Sequence, residues 1–442
     1  MDAPAPTRPS REALVLAAAI PFLCLHERYD PDLTFAAGST SVSISLSDVA
    51  LLAVLAAAVF AARRLGAAPL RNGGWTLVAA GLLLALVVVA ALLGPALTEG
   101  YPFATKLVSA AKFVAYGWLI VAVPLIVRRG ADALALLTAV TATATAAAAV
   151  GVLQLIGLIG NLDETPAGRR MPSFLGYHDF AALAGVTLAI AIAGIAVGWW
   201  RHQRPLLAVA AAAGVIGVII AGSLANMAAL AVGGVVALAA MAAHRSLHLR
   251  RAAAVCALVG IALAGSLILR GGDVADFIGF LGSDDTQSAQ VETYSQRTVL
   301  IYIGLRIFRD HPLTGAGWQG SELPASFEPY LDDTRRRFPD VAVEALPSAE
   351  RPWGVQNAYI QAAADMGVLG LLAALGTVLA GLARALSCSF RPGGARAPYA
   401  LATALALLVC AAVWAALGLV PGVPATALLW IALGGAVALP RT

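Results

Sequence analysis

Apolar positions gather into twelve runs along the chain, at about 12–26, 48–62, 75–94, 107–127, 132–159, 178–199, 205–221, 223–243, 252–269, 357–380, 397–419 and 421–438. Most approach the ~20 residues that a helix needs to cross ~30 Å of hydrocarbon, so the pattern predicts twelve membrane helices. The first two are the weakest signals, because Pro21 interrupts one and both apolar cores are short. A signal peptide is the rival reading of the first run, but no clear small-residue cleavage site precedes His26-Glu27-Arg28. One long polar interval breaks the series. It divides the chain into helices 1–9 over residues 1–269, a loop over 270–356, and helices 10–12 over 357–442.

Composition agrees with that reading. Hydrophobic residues make up 60% of the 442 positions, charged residues only 12%, and mean hydropathy is +0.82, values that point to an all-α polytopic membrane protein. With the N-terminus inside, alternate short loops carry Arg63, Arg64 and Arg71, then Arg128 and Arg129, Arg201 and Arg204, Arg245, Arg250 and Arg251, and finally Arg384, Arg391 and Arg396. The opposite short loops hold Arg28, Arg169 and Arg170, with Lys106 and Lys112 near the start of the fourth helix. The positive-inside rule therefore predicts both termini in the cytoplasm and residues 270–356 outside. The net charge of +4 is mostly topological, and nucleic acid is not an expected partner. Cys24, Cys256, Cys388 and Cys410 lack metal or redox spacing, and no 20–50-residue repeat is visible.

Chemistry is expected in the long loop. It holds thirteen of the twenty-five Asp and Glu residues and eight arginines. Within it Val299, Leu300, Ile303 and Ile307 recur at helical spacing, with Arg297, Arg306 and Arg309 among them. This predicts an amphipathic helix at about 294–310, lying at the membrane-water boundary and stopped by Asp310-His311-Pro312 and the glycines at 315, 317 and 320. Residues 321–352, rich in proline and charge, read as a mobile lid.

An Arg-bearing amphipathic helix that ends in "DHPLTGAGWQG", an insert, and "VQNAYIQAAADMGVLGLL" opening a membrane helix together resemble the O-antigen ligase and O-antigen polymerase family. Further stretches fit: "LLALVVVAALLGP" before the lysine-bearing fourth helix, "GVLQLIGL", "RRMPSFLGYHDFAALAG" and "IIAGSLANMAALAVGG". The similarity runs from about residue 75 to 375. It implies an enzyme of the bacterial cytoplasmic membrane, metal-independent, without a cofactor and inverting at the sugar carbon. Such an enzyme moves glycan from undecaprenyl pyrophosphate onto a glycan, lipid or protein acceptor, in surface-polysaccharide assembly. Two positions depart from the pattern: ligases usually carry His where Gln356 stands, and Arg where Leu224 follows Ser223. A neutral amide cannot take a proton from a hydroxyl near pH 7, whereas imidazole can.

Cleaving a sugar-pyrophosphate bond builds negative charge on the leaving group, which calls for cations near the outer face. Arg297 matches the family's amphipathic-helix arginine and is the leading catalytic candidate. Arg169, Arg170, Lys106 and Lys112 are substrate-binding candidates, although lysines near helix ends also snorkel to headgroups and Arg169-Arg170 also suits lipid phosphate. The two lysines lie about 120° apart on one helix, so only one is expected in a shared cleft. His178 at the mouth of the sixth helix is the candidate base, with Asp179 beside it; its plainer reading is a helix-end cap. Gln356, Asn357 and Asp365 complete the set as substrate-binding residues. The structural alternative makes Asn357 the cap of the tenth helix. Asp365, two turns into that helix, needs a buried partner. No metal site is expected. A multi-helix transporter and an inactive assembly scaffold remain the alternative functions.

Overall fold

The computed structural model describes residues 8–26, 29–37, 40–160, 170–199, 203–245, 247–271, 289–339, 341–391 and 397–440. Among these, ten helices are long and apolar enough to cross a membrane. They are α2 (Leu46–Leu65), α3 (Gly74–Leu97), α4 (Phe103–Gly117) continued by α5 (Leu119–Ile126), α6 (Gly130–Leu155), α7 (Tyr177–Ala196), α8 (Arg204–Ala221), α9 (Leu224–Ala243), α10 (Leu249–Leu269), α14 (Ala358–Ser389) and α15 (Ala397–Trp414). Two of the twelve expected crossings fall short. α1 (Arg11–Leu23) has 13 residues and α16 (Pro424–Ala438) has 15, or roughly 20 Å and 22 Å at ~1.5 Å per residue.

A second departure is the hairpin of β1 (Asp32–Ala37) and β2 (Thr40–Ser45), antiparallel with Leu33 opposite Ile44 and Phe35 opposite Val42. The alternation in "SVSIS" is a period-two signal inside a stretch otherwise read as a connector.

Side-chain bonds tie the helix ends into two separate sets. At one end Ser10 N–H donates to Asp132 (2.8 Å), Arg64 pairs with Glu12 (3.0 Å), Arg128 donates to the Leu65 carbonyl (3.0 Å) and Arg384 to the Ala436 carbonyl (2.7 Å). At the other, Arg270 donates to the Gly222 carbonyl (2.6 Å), Asn357 to the Ala415 carbonyl (3.0 Å), and Ala425 N–H to Asp179 (2.7 Å). Each set joins alternate turns, as successive up and down crossings require. The first is called here the terminal end and the second the loop end. α7 runs through the middle of the bundle, with every residue from Asp179 to Ala196 buried, and its first turn opens at the loop end.

Between α10 and α14 lie α11 (Ala289–Asp310), α12 (Pro324–Phe327) and α13 (Leu331–Arg337). The apolar face of α11 does not rest on lipid as expected. Val299, Ile303 and Ile307 pack in a small core of their own with Ala316, Phe327, Leu346 and Ala364, so the loop covers that stripe with protein. The lid is correspondingly fastened: Tyr302 donates to Asp333 (2.6 Å), Arg306 pairs with Asp333 (3.1 Å) and Tyr330 donates to Asp310 (2.8 Å).

Candidate active site

The site is framed by a break in α14. Gly367 has φ +67° and ψ −162°, so the helix opens there and leaves backbone groups without intrahelical partners. The segment after α11 supplies them. Ala316 N–H donates to the Ala364 carbonyl (2.8 Å), Gly317 N–H to the Asp365 carbonyl (3.0 Å), and Val368 N–H to the Pro312 carbonyl (2.8 Å). Irregular backbone at membrane depth is tolerated only where protein meets its hydrogen bonds, and here each strand of the crossing completes the other. The approach is close enough to require glycine: a Cβ on Gly315 would lie 2.3 Å from the Asp365 backbone.

Asp365 is fully buried and spends its oxygens inside this crossing. It accepts from Gln319 N–H (3.0 Å), Ser321 N–H (3.0 Å) and Gln361 Nε2 (3.1 Å). The partners it was expected to need are thus two backbone N–H groups and the Gln361 amide, through which it holds the 319–321 segment against α14. Asn357 likewise proves to be a cap. Its Oδ1 accepts from Tyr359 and Ile360 N–H (both 3.1 Å), while Nδ2 donates to the Ala415 carbonyl. Tyr101, from the turn before α4, donates to the Trp318 carbonyl at 2.7 Å. Burial, with Asp365 and Glu322 nearby, raises its phenol above the ordinary range and keeps that donor protonated.

Three residues from three separate segments meet beside this frame. Arg297 on α11 points one terminal nitrogen at His178 Nε2 (2.8 Å) and its Nε at Gln356 Oε1 (3.1 Å). Arginine only donates, so Nε2 accepts and the imidazole is the neutral Nδ1–H tautomer. Its Nδ1 is buried with no hydrogen-bond partner among the described residues. Asp179, the neighbour considered as an orienting carboxylate, turns instead to cap α16 through Ala425 N–H.

Two more arginines lie at the loop end. Arg170 stacks over the Tyr177 ring (5.0 Å to the centroid) and donates to the Ala221 carbonyl (2.9 Å). Arg270, 5% exposed, reaches the Gly222 carbonyl, so its stem and that of Arg170 both run beside Gly222. Arg270 was missed from sequence because an arginine closing an apolar run reads as an ordinary membrane-end anchor. Arg169 lies outside the described residues.

The lysines diverge as their spacing predicts. Lys106 pairs with Glu322 beside Gln319, whose side chain also takes a hydrogen bond from Ser109 (2.9 Å). Lys112 pairs with Asp48 at the start of α2 (3.0 Å) and lies against Gly422. Each lysine is thus neutralised by a carboxylate from a different element, and the structure does not bring either into hydrogen-bonding contact with His178, Arg297 or Gln356. Among the described residues no three His, Cys, Asp or Glu side chains gather as metal ligands.

The family model described as O-Antigen ligase matches residues 209–375, a stretch that contains Arg270, Arg297, Gln356, Asn357 and Asp365. A search of curated proteins returned no match. The domain supports a part in surface-polysaccharide assembly and, with it, a glycan-transferring activity on lipid-linked substrates. On this match, the family supported for the chain is the O-antigen ligase and polymerase family.

Proposed function

We propose that the chain transfers or polymerises glycan from an undecaprenyl-pyrophosphate donor, with its loop end on the outer face of the bacterial cytoplasmic membrane and both termini in the cytoplasm. The observation that carries this reading is the contact of Arg297 with His178 and Gln356, which joins a phosphate-binding fork to a neutral imidazole. The acceptor hydroxyl oxygen attacks the anomeric carbon while the sugar-pyrophosphate bond breaks on the opposite face. The bonding electrons leave with undecaprenyl pyrophosphate, and the hydroxyl proton passes to His178 Nε2. Arg297 offsets the charge that develops on the leaving group.

At rest the Nε2 lone pair is held by Arg297. A pyrophosphate competes for the same guanidinium far better than a neutral imidazole does, so donor binding releases the lone pair for the acceptor. The position that carries His in ligases is here Gln356. Its oxygen holds the arginine, and the imidazole comes from α7 instead.

Purified protein in detergent, given an undecaprenyl-pyrophosphate-linked glycan and an acceptor glycan, tests the reading by release of lipid pyrophosphate. Wild type is expected to release it. Arg297→Ala and His178→Ala are each expected to lose on the order of a hundredfold or more. Release that survives His178→Ala removes that base, and no release from folded wild type returns the function to a transporter or an inactive scaffold.

A further inference from the structure

At the terminal end, far from the transfer site, α6 and the pair α15–α16 both rest on α7 yet make at most marginal contact with each other. Between them lies a cavity of about 340 Å³, within the ~300–1,000 Å³ typical of small-molecule sites. Its depth is apolar: Leu136 and Val140 on one wall, Val186 and Ile190 on the floor, Ile431 and Ala432 opposite. Its mouth is not. There the wall is formed by Arg128, Arg129 and the Tyr399 hydroxyl, which donates to the Gly130 carbonyl (3.3 Å).

The two arginines differ in what they can do. Arg128 is fixed by the Leu65, Gly66 and Leu125 carbonyls. Arg64 pairs with Glu12 and Arg129 with Asp132, so the charge of Arg128, met only by carbonyls among the described residues, leaves this end with positive charge in excess. Arg129 is anchored on one side by Asp132 (3.3 Å), but its side chain stays 48% exposed, which leaves guanidinium surface at the mouth. An apolar slot among membrane-spanning helices, capped by cations at the depth of the headgroups, has the chemistry of a chain and an anionic head together.

We infer that this cavity is a binding site for an anionic phospholipid of the leaflet at the terminal end, with an acyl chain between α6 and α16 and its phosphate on Arg129. The inference does not depend on the proposed transfer chemistry, which lies at the opposite ends of these helices. The occupant is anionic because the mouth offers excess positive charge. It is a phospholipid of that leaflet because the charged mouth and the apolar depth are ordered from headgroup to membrane interior.

Full-length protein in detergent, titrated with dioleoylphosphatidylglycerol or dioleoylphosphatidylcholine and followed by native mass spectrometry, tests this. Retention of the glycerol lipid is expected to exceed that of the choline lipid roughly fivefold or more, as about one basic contact confers. Arg129→Gln is expected to abolish the preference, and Ala432→Phe to abolish retention by filling the slot. Ala133→Leu on the facing wall replaces Ala432→Phe if that variant does not fold. Equal retention of both lipids by wild type, or a preference untouched by the variants, overturns the inference. So does competitive displacement of phosphatidylglycerol by purified undecaprenyl pyrophosphate, which would give the slot to the donor's polyprenyl chain.

Discussion

The Nε2 of His178 is engaged by Arg297 at 2.8 Å, and in the proposed mechanism the residues around that contact set how the base is freed. Gln356 fixes the other side of the same guanidinium, so Gln356→Leu is expected to raise donor KM roughly tenfold with a smaller change in kcat, as loss of one charged hydrogen bond of ~1.5 kcal/mol would. Arg297→Lys keeps the charge but not the fork. Steady-state assays are expected to recover only a small part of the activity lost in Arg297→Ala. The members of this trio were legible in sequence, because Arg297 and Gln356 stand in recognisable motifs and His178 opens an apolar run. Their union was not legible: His178 and Arg297 lie 119 positions apart, and no local pattern reports a contact at that separation. For Asp365 and Asn357 the sequence left two roles open, substrate contact and backbone satisfaction, and the structure supplies the second: Asn357 caps α14 and Asp365 accepts from the 319–321 backbone. A polar residue at a helix mouth looks the same in sequence whether it faces substrate or satisfies backbone.

At the scale of elements, the crossing of residues 312–321 with the broken α14 leaves no room for change. Asp365→Ala would leave two backbone N–H groups and the Gln361 amide without their acceptor. At ~1–3 kcal/mol per stranded group, thermal unfolding in detergent is expected to register a loss on the order of 3 kcal/mol or more. The lid responds to pH instead. Asp333 is held below the ordinary carboxylate range by the Tyr302 hydroxyl, and further by Arg306 and Arg336. Its contribution is fully present above the usual aspartate range and is lost as pH falls through the lowered value. Limited proteolysis at Arg335–Arg337 is therefore expected to accelerate in acid, and Asp333→Asn to cleave fast at every pH. The helices themselves followed directly from apolar run length. The hairpin at 32–45 and the covering of α11 did not, because short strands and protein-protein burial leave weaker traces than a membrane does.

Across the whole molecule, two sets of helix ends face opposite ways, and the cluster of Arg297, His178 and Gln356 belongs wholly to one of them. In a cysteine-free background, Ser348→Cys in the lid is expected to react with a membrane-impermeant maleimide in intact cells. Thr442→Cys is expected to react only after lysis. The reverse pattern would place the loop end in the cytoplasm, away from any acceptor at the cell surface. The interlocked crossing also bears on how such a chain is made. Residues 312–321 leave the ribosome before α14 exists, yet the carbonyls of Ala364 and Asp365 that receive them, and the N–H of Val368, arrive only with that helix. The chain must therefore hold the earlier segment at the membrane surface, unfinished, until its partner is threaded beside it. The proposed transfer site is then assembled late in biosynthesis, after α1–α10 and the loop have already been synthesised.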